Sequence, residues 1–270
     1  MRLLQHKREA RWFYRWLSLV YDRVNRLFWT ESMRERALAL ARLDGPDPPG
    51  SVLDVGAGTG FTTEGIARHV PAAVITMLDQ SPQQLAVAAR KPGIAAARRL
   101  EGDAERLPFG DDAFDRYVSA GSIEYWPDPQ RAIAEAYRVL APGGRALIVG
   151  PLPPRNRLAR ALADLWMLFP ERGDYVLWFE RAGFREIELV ELAPDWHGGE
   201  GYGLAIAGTK PAPGPSPLAL PAPAEDAERP LRGTEALRAA YRFVLGSLAG
   251  ALFVPIAAAL ALRARLRGPR

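Results

Sequence analysis

A short apolar run followed by closely spaced glycines constrains the fold of this 270-residue chain more than any other feature. Residues 51–55 read as a buried β-strand, and Gly56, Gly58 and Gly60 follow it at intervals of two. Glycine takes positive φ angles at no steric cost and lets a backbone approach a ligand closely. The sequence therefore predicts a strand, a glycine-rich turn at a binding site, and a helix that continues to about His69.

Strand-like runs and helical stretches alternate from residue 44 to residue 210, which we interpret as one domain. One helix is followed by Pro142-Gly143-Gly144, a typical stop signal. This alternation predicts a doubly wound, mostly parallel sheet with a final antiparallel strand, and ligands bind such sheets at the carboxyl ends of the strands. The further predicted strands are 73–78, 98–101, 114–119, 146–150, 185–192 and 203–208, and the predicted helices include 81–90 and 130–140.

The residues around the glycine turn indicate which ligand it binds. A nicotinamide cofactor needs the spacing G-x-G-x-x-G, whereas this turn reads G-x-G-x-G and has Phe61 at the third-glycine position. Asp54 lies two residues before Gly56, where a carboxylate attracts an ammonium group and repels a pyrophosphate. S-adenosylmethionine carries an ammonium group and a sulfonium, so the sequence predicts this cofactor.

Two further acidic positions belong to the predicted cofactor site. Asp79 ends the second strand and is placed to accept hydrogen bonds from both ribose hydroxyls. Alternatively, it is only a carboxylate that lies beside Ser81 where the next helix begins. Asp103, after the third strand, can accept a hydrogen bond from the adenine amino group. Together with the glycine turn, this set is typical of class I methyltransferases. The predicted cofactor-binding residues are Asp54, Gly56, Gly58, Gly60, Asp79, Gln80, Asp103, Ala104 and Ser119.

Composition and charge exclude several classes of function. The chain has no Cys and three His, which excludes disulfides, Cys-ligated metal centres and thiol catalysis, and we predict no metal. The net charge is +4, yet residues 1–43 carry +6 and residues 229–270 carry +7, which leaves −9 for the middle. Basic ends favour contact with anionic lipid, and an acidic middle argues against nucleic acid as a partner.

The C-terminal part of the sequence reads as a linker and an apolar helix. Residues 211–230 contain seven prolines, which preclude helix and sheet and predict an extended spacer. Residues 243–262 carry no charge, and at about 1.5 Å per residue they can span a bilayer core of about 30 Å. We predict a single-pass membrane anchor within residues 231–270, with a buried core helix or a helix on the membrane surface as alternatives.

Six stretches of the sequence resemble one enzyme family closely. These stretches are residues 6–15, 54–63, 78–82, 101–109, 115–130 and 164–170. They resemble the 2-methyl-6-phytyl-1,4-hydroquinone methyltransferases of plants, and the resemblance runs from about residue 5 to the C-terminal apolar helix. It implies methyl transfer from S-adenosylmethionine to a ring carbon of a prenylated methyl-benzoquinol, on the way to plastoquinone or tocopherol, at a membrane. The loop 196–201 is expected to be shorter and less basic than in plants, which leaves the phytyl or solanyl tail open.

The acceptor side of the site is predicted from titratable and aromatic residues. A base that removes the quinol proton would raise the rate, and Glu124 and His197 are the candidates, with His6 a third. A salt-bridge role for Glu124 and a solvated loop for His197 are the alternatives. Residues 1–43 are predicted to form a helical lid rich in aromatic and basic residues. The predicted lid residues are Trp12, Tyr14, Trp126 and Trp166.

Two rival functions remain open at this point. One is a ubiquinone/menaquinone-type or sterol C-methyltransferase, and the other is a membrane-tethered, non-catalytic module that binds S-adenosylmethionine. The catalytic domain is expected on the cytoplasmic or stromal side, where the cofactor is found. The absence of a transit peptide is expected of a prokaryotic or mature form.

Overall fold

A computed structural model describes residues 28–45, 48–194, 196–197 and 201–221 of the chain, and isolated positions from residue 233 onward. The strands in this part are β1 Val52–Val55, β2 Ile75–Asp79, β3 Arg98–Glu101, β4 Phe114–Ala120, β5 Leu140–Pro151, β6 Arg185–Leu192 and β7 Gly203–Thr209. The α-helices are α1 Glu31–Leu38, α2 Phe61–Ile66, α3 Pro82–Ala88, α4 Pro129–Val139, α5 Arg157–Trp166 and α6 Arg172–Ala182.

The seven strands form one sheet in the order β3-β2-β1-β4-β5-β7-β6. Strands β1 to β5 pair in parallel, and β7 runs antiparallel to both of its neighbours. The predicted doubly wound sheet with a final antiparallel strand is therefore confirmed. Because the order reverses between β1 and β4, the carboxyl ends of these strands border a crevice.

Helices cover both faces of the sheet, and β1 shows how the sequence divides its residues between them. Successive side chains of a strand point to opposite faces. Leu53 and Val55 pack in one hydrophobic cluster with residues of α4 and α6, whereas Val52 packs in a second cluster with residues of α1, α2 and α3. All three side chains are fully buried. Asp54 lies between them in sequence, on the face covered by α2.

Two predicted element boundaries differ from the structure by three residues or more. The helix after the glycine turn ends at Ile66 rather than His69. Helix α4 passes directly into β5 at Leu140, so Pro142-Gly143-Gly144 lies inside the strand rather than before it. The reason is a distant partner: Gly143 donates a backbone hydrogen bond to Lys210, and Lys210 donates one to Gly144. Because Gly143 adopts a φ of 79°, the chain can loop out and then rejoin β4 in a shifted register.

Several predictions concern residues outside the described part of the chain. These are His6, Trp12 and Tyr14 in the predicted lid, and the second half of the linker. Most of the predicted anchor, residues 243–262, also lies outside it. In the part that the structure describes, no helix combines the length and the apolar character needed to cross a membrane.

Candidate functional site

A cleft opens at the carboxyl ends of the central strands β1, β2 and β4. It encloses about 970 Å³ with the open space at its mouth included, which is enough for a nucleoside-sized ligand. Predicted cofactor residues in its lining are Gly56, Gly58, Asp79, Gln80, Asp103 and Ala104. Its other polar and aromatic lining residues are Trp29, Thr59, Phe61, Thr62, Ser81, Gln84, Glu105, Ser122, Tyr125 and Trp126.

The glycine turn presents bare backbone to this cleft. Gly56 and Gly58 have φ angles of 69° and 54°, which side-chain-bearing residues rarely adopt. A Cβ on Gly56 would lie 2.2 Å from the Ser122 hydroxyl oxygen, and one on Gly58 would lie 2.7 Å from the Gln84 side-chain oxygen. A side chain at Gly56 would therefore clash with Ser122, whereas at Gly58 the Gln84 side chain could move and the positive φ is the constraint. Gly60 lies outside the lining, as the N-cap of α2.

Asp79 ties the glycine turn to the start of α3. One carboxylate oxygen accepts a hydrogen bond from the Gly58 backbone N–H at 2.8 Å, and the other accepts one from the Ser81 N–H at 2.8 Å. Burial raises the pKa of Asp79, although these two hydrogen bonds oppose the rise. The carboxylate thus lies at the cleft, where binding of the ribose hydroxyls would need it. It also bonds Ser81 at the start of α3, as the alternative role predicts.

Two further acidic residues, Asp103 and Glu105, line the cleft after β3. Asp103 accepts a hydrogen bond from the Glu105 N–H at 3.0 Å, and Glu105 accepts one from the Asp128 N–H at 2.8 Å. Glu105 is buried and was not predicted as a site residue. Its position two residues after Asp103, in the same turn, was the available signal.

Asp54 lies beneath the glycine turn and outside the cleft lining. Its side chain is fully buried, and one carboxylate oxygen accepts a hydrogen bond from the Thr63 hydroxyl at 2.6 Å. The other oxygen has no hydrogen-bond partner among the described residues. Burial raises the pKa of Asp54 to about 7, and the nearby charge of Asp79 adds to the rise. Asp54 thus connects β1 to α2 and can hold a proton at neutral pH.

Ser119 also lies outside the lining. Its hydroxyl donates to the carbonyl of Val55 at 2.8 Å, which joins β4 to β1, and the neighbouring Ala120 lines the cleft instead. Sequence reasoning placed the site one residue early here because it could not tell which side chain of β4 turns inward.

Aromatic residues cover one wall of the cleft. The Trp126 ring nitrogen donates to the Ser122 hydroxyl at 3.2 Å, so the ring is held against the cleft as the lid prediction expects. Trp29 also lines the cleft, and its buried ring nitrogen has no hydrogen-bond partner in the part of the chain that the structure describes. It belongs to the predicted N-terminal lid but was not singled out there. Trp166 is the last residue of α5.

Glu124 is buried just behind the cleft wall, in a short 3-10 helix over Ile123–Tyr125. Gly121 lines the cleft, and a Cβ added there would lie 3.9 Å from a Glu124 carboxylate oxygen. Within the described part of the chain, the other carboxylate oxygen has no hydrogen-bond partner. Burial raises the pKa of Glu124 to about 7. This side chain can therefore accept or release a proton near neutral pH.

His197 lies farther out, in an aromatic cluster that the structure forms from Phe28, Trp196, His197 and Tyr202. The rings of His197 and Tyr202 are 5.1 Å apart, and His197 is exposed. Burial raises the pKa of Tyr202, and the charge of Glu124 contributes to the rise. Tyr202 contacts the His197 ring, but neither Tyr202 nor His197 is part of the cleft lining.

Two aromatic residues of α6 belong to the hydrophobic core. Tyr175 and Phe179 of α6 are fully buried in the hydrophobic cluster that covers one face of the sheet. They stabilise the domain and do not line the cleft. Among the described residues, no group of three or more His, Asp or Glu side chains could hold a metal ion.

Comparison with known sequences places this chain among methyltransferases. A methyltransferase domain family matches residues 53–148. The chloroplastic 2-methyl-6-phytyl-1,4-hydroquinone methyltransferase of Arabidopsis thaliana is 51% identical over 261 residues, which are 94% of this chain and 76% of that protein. The demethylmenaquinone methyltransferase of Thermus thermophilus is 38% identical over 142 residues, which are 50% of this chain and 63% of that protein.

A solved structure supports the same fold. The crystal structure of an S-adenosylmethionine-dependent methyltransferase from Thermotoga maritima superposes with a TM-score of 0.57 at 22% identity, covering 73% of this chain and 98% of that one. At this identity the likeness concerns the fold alone. The cleft described above lies at the carboxyl ends of the strands that form this shared sheet.

Proposed function

Because the chain belongs to the 2-methyl-6-phytyl-1,4-hydroquinone methyltransferase family and is an S-adenosylmethionine-dependent methyltransferase, we propose that it methylates a ring carbon of a 2-methyl-6-prenyl-1,4-benzoquinol. The product would enter plastoquinone or tocopherol synthesis, with a phytyl or solanyl tail. The observation that carries the proposal is the extent of the identity. The Arabidopsis relative matches 94% of the chain, whereas the domain family alone ends at residue 148.

The cleft residues fit S-adenosylmethionine. The bare backbone at Gly56 and Gly58 admits a ligand at close range, and Asp79 and Asp103 offer carboxylates to hydroxyl and amino groups. Asp54 is buried beneath the turn and bonds Thr63, so we propose that it acts on the ammonium group through the turn and without direct contact. When bound, the cofactor supplies a methyl group activated by its sulfonium.

The chain's own residues then have two tasks toward the acceptor. Trp29 and Trp126 line the cleft with apolar surface, which excludes water and orients a flat ring. Glu124 takes the proton of the quinol hydroxyl, whose ordinary pKa is about 10 as for a phenol. Loss of that proton raises the electron density on the neighbouring ring carbon, which is the nucleophile. With a pKa of about 7, Glu124 is ionised in part of the molecules at neutral pH and can act as the general base.

We propose that the acceptor is taken from a lipid bilayer. The C-terminal apolar segment, residues 243–262, would lie on or within the same bilayer. A prenylated quinol is almost insoluble in water. Four described residues at or near the start of this segment support lipid contact: Leu237, Tyr241, Val244 and Leu248 are helical and 55–77% exposed. Their spacing of four, three and four places them on one helix face. The catalytic domain would face the cytoplasm or stroma.

The second candidate function is methylation of a demethylmenaquinol. It is favoured by the 38% identity to the Thermus thermophilus enzyme, although that match covers half of the chain. Both candidates use the same cleft and cofactor, so the acceptor distinguishes them.

The test uses detergent-solubilised full-length protein, S-adenosylmethionine with a labelled methyl group, and a panel of 2-methyl-6-prenyl-benzoquinols with different tails. Demethylmenaquinol is the competing acceptor. We expect label on the benzoquinol ring, and the order of rates would identify the tail. Label on the naphthoquinol alone would reject the proposed acceptor. Cofactor binding without transfer to any quinol would favour a non-catalytic binding module.

A further inference from the structure

We propose that residues 211–221 form an ordered strap that leads the chain from the end of the sheet opposite the cleft, along α4, towards the cleft. Asp112 and Lys210 are positioning residues that fix the start of this strap. The strap would thereby hold the C-terminal apolar segment beside the cleft, where the tail of the acceptor arrives. The strap itself rests on described contacts, and only its effect on the acceptor rests on the proposed function.

The start of the strap is fixed by a buried lysine. The Lys210 ammonium donates to Asp112 at 2.5 Å, to the carbonyl of Gly214 at 2.6 Å and to the carbonyl of Arg138 at 3.2 Å. It also lies 4.9 Å from the centre of the Tyr137 ring. Lys210 is fully buried, and a buried ammonium is tolerated when its donors are satisfied. Asp112 also accepts from the Gly214 N–H at 3.0 Å, so it holds both ends of this short turn.

The middle of the strap crosses the end of α6. The Ser216 hydroxyl donates to the carbonyl of Ala182 at 2.9 Å. Pro217 packs over Gly183 so closely that a Cβ on this glycine would lie 2.8 Å from the proline ring. The proline-rich sequence precludes helix and sheet here, as predicted, but this part of the linker lies on the domain instead of extending away from it.

The end of the strap reaches the first turn of α4. The Arg131 guanidinium donates to the carbonyl of Pro221 at 2.5 Å. The Arg131 N–H donates to Asp128, and the Asp128 N–H donates to Glu105, which lines the cleft. Three successive hydrogen bonds therefore connect the end of the strap to the cleft lining. From Arg138 to Arg131 the strap runs beside seven residues of α4, or about 10 Å.

The strap shortens the linker that remains before the C-terminal apolar segment. A spacer of twenty residues has a contour length of about 70 Å, because each residue extends at most 3.3–3.6 Å. Fixing residues 211–221 leaves nine residues, or about 30 Å, before residue 231. The effective concentration of a tethered segment falls roughly as the −3/2 power of linker length, so a released strap would lower it roughly threefold.

The test compares the full-length protein with the double variant Arg131→Met/Ser216→Ala, which removes two strap contacts distant from Lys210. Arg90→Met is the matched control, because Arg90 is an exposed arginine of the domain. Each protein is assayed with a long-tail quinol held in phospholipid vesicles and with a short-tail, water-soluble quinol. We expect the double variant to raise KM for the vesicle-held acceptor roughly threefold. Its kcat, its KM for S-adenosylmethionine and its KM for the soluble acceptor should stay unchanged.

Hydrogen exchange of the Gly214 amide provides a readout independent of activity. We expect slow exchange in the unmodified protein, because this amide bonds Asp112. Exchange at the rate of an unstructured peptide would overturn the strap. Slow exchange with equal KM changes for both acceptors would overturn its positioning role. Failure of the unmodified protein to methylate either quinol would instead contradict the proposed function, and the strap would still be decided by the exchange rate.

Discussion

Two carboxyl groups of this enzyme, those of Asp54 and Glu124, are buried without a cationic partner among the described residues. Each has one oxygen that accepts no hydrogen bond, and burial raises the pKa of each to about 7. A carboxyl in this state changes its charge near neutral pH, which an ordinary surface carboxylate does not. Asp54 lies under the glycine turn, whereas Glu124 lies behind the cleft wall, so the two groups titrate at different places in the molecule.

We expect Glu124→Gln to lower kcat with the quinol by about 100-fold, because the amide cannot accept the hydroxyl proton. In the unmodified enzyme kcat should rise with pH through about 7 as Glu124 loses its proton, and the variant should lack this rise. Steady-state kinetics from pH 5.5 to 9 would measure both effects, with calorimetry for cofactor affinity, which should not change.

Glu180→Gln is the matched control for this substitution, since Glu180 is an exposed carboxylate on α6. It should leave the rate and its pH profile intact. An unchanged pH profile in Glu124→Gln would show that another group accepts the proton.

Asp79→Asn should weaken cofactor binding about 10- to 100-fold, because the amide replaces one charged acceptor and directs an N–H at a backbone donor, Gly58 or Ser81. Titration calorimetry with S-adenosylhomocysteine would measure the dissociation constant. Asp111→Asn, which changes an exposed aspartate outside the cleft, is the comparison. Equal affinity of the two variants would remove Asp79 from the cofactor site.

Helix α1 contacts the end of the glycine turn through Arg34. Arg34 of α1 is buried, and its guanidinium donates to the carbonyl of Phe61 at 2.9 Å while lying 4.5 Å from the centre of the Phe61 ring. Phe61 is the first residue of α2 and lines the cleft. Helix α1 therefore supports the turn from outside the domain family match, which begins at residue 53.

We expect Arg34→Ala to lower the free energy of unfolding by roughly 2–3 kcal/mol, because a partly buried carbonyl loses a charged donor and an aromatic ring loses its packing partner. Chemical denaturation would measure the change. Arg36→Ala on the exposed side of the same helix should change it by about 0.5 kcal/mol or less. If both variants lose the same stability, Arg34 contributes no more than an exposed arginine does.

The strands and the glycine turn could be predicted because their signals are local. Val52 and Leu53 are apolar neighbours, and the glycines follow at once. The course of β5 could not be predicted, because Gly143 and Gly144 make their backbone hydrogen bonds with Lys210, which lies more than sixty residues later in the chain. The acidic set at the cleft followed from spacing, but the burial of Asp54 on the α2 face depends on side-chain direction, which spacing does not give.

At the scale of the molecule, groups with opposite pKa shifts set the pH range of stability. Asp54 and Glu124 have folded pKa values of about 7, above their unfolded values, so their contribution is complete below about pH 4 and is lost as pH rises through about 7. Hydrogen bonding from Lys210 lowers the pKa of Asp112, so its contribution is present above about pH 4 and is lost in stronger acid.

The free energy of unfolding should therefore fall between pH 5 and pH 8 by at least about 1 kcal/mol. The double variant Asp54→Asn/Glu124→Gln should show a smaller fall, since neither amide titrates. Urea denaturation at four pH values in this range would measure both slopes. Equal slopes for the two proteins would assign the pH dependence to other groups.

The reversed direction of β7 has a consequence for protein engineering. A chain that left the sheet after a parallel strand would emerge at the cleft pole. Strand β7 instead ends at Thr209, level with Arg145, which pairs with Arg116 near the start of β4 at the opposite pole. A fluorescent reporter fused after Thr209 would therefore sit at the pole remote from the chemistry. The same reporter fused after Pro221 would sit at the cleft pole and obstruct the entry of bulky acceptors.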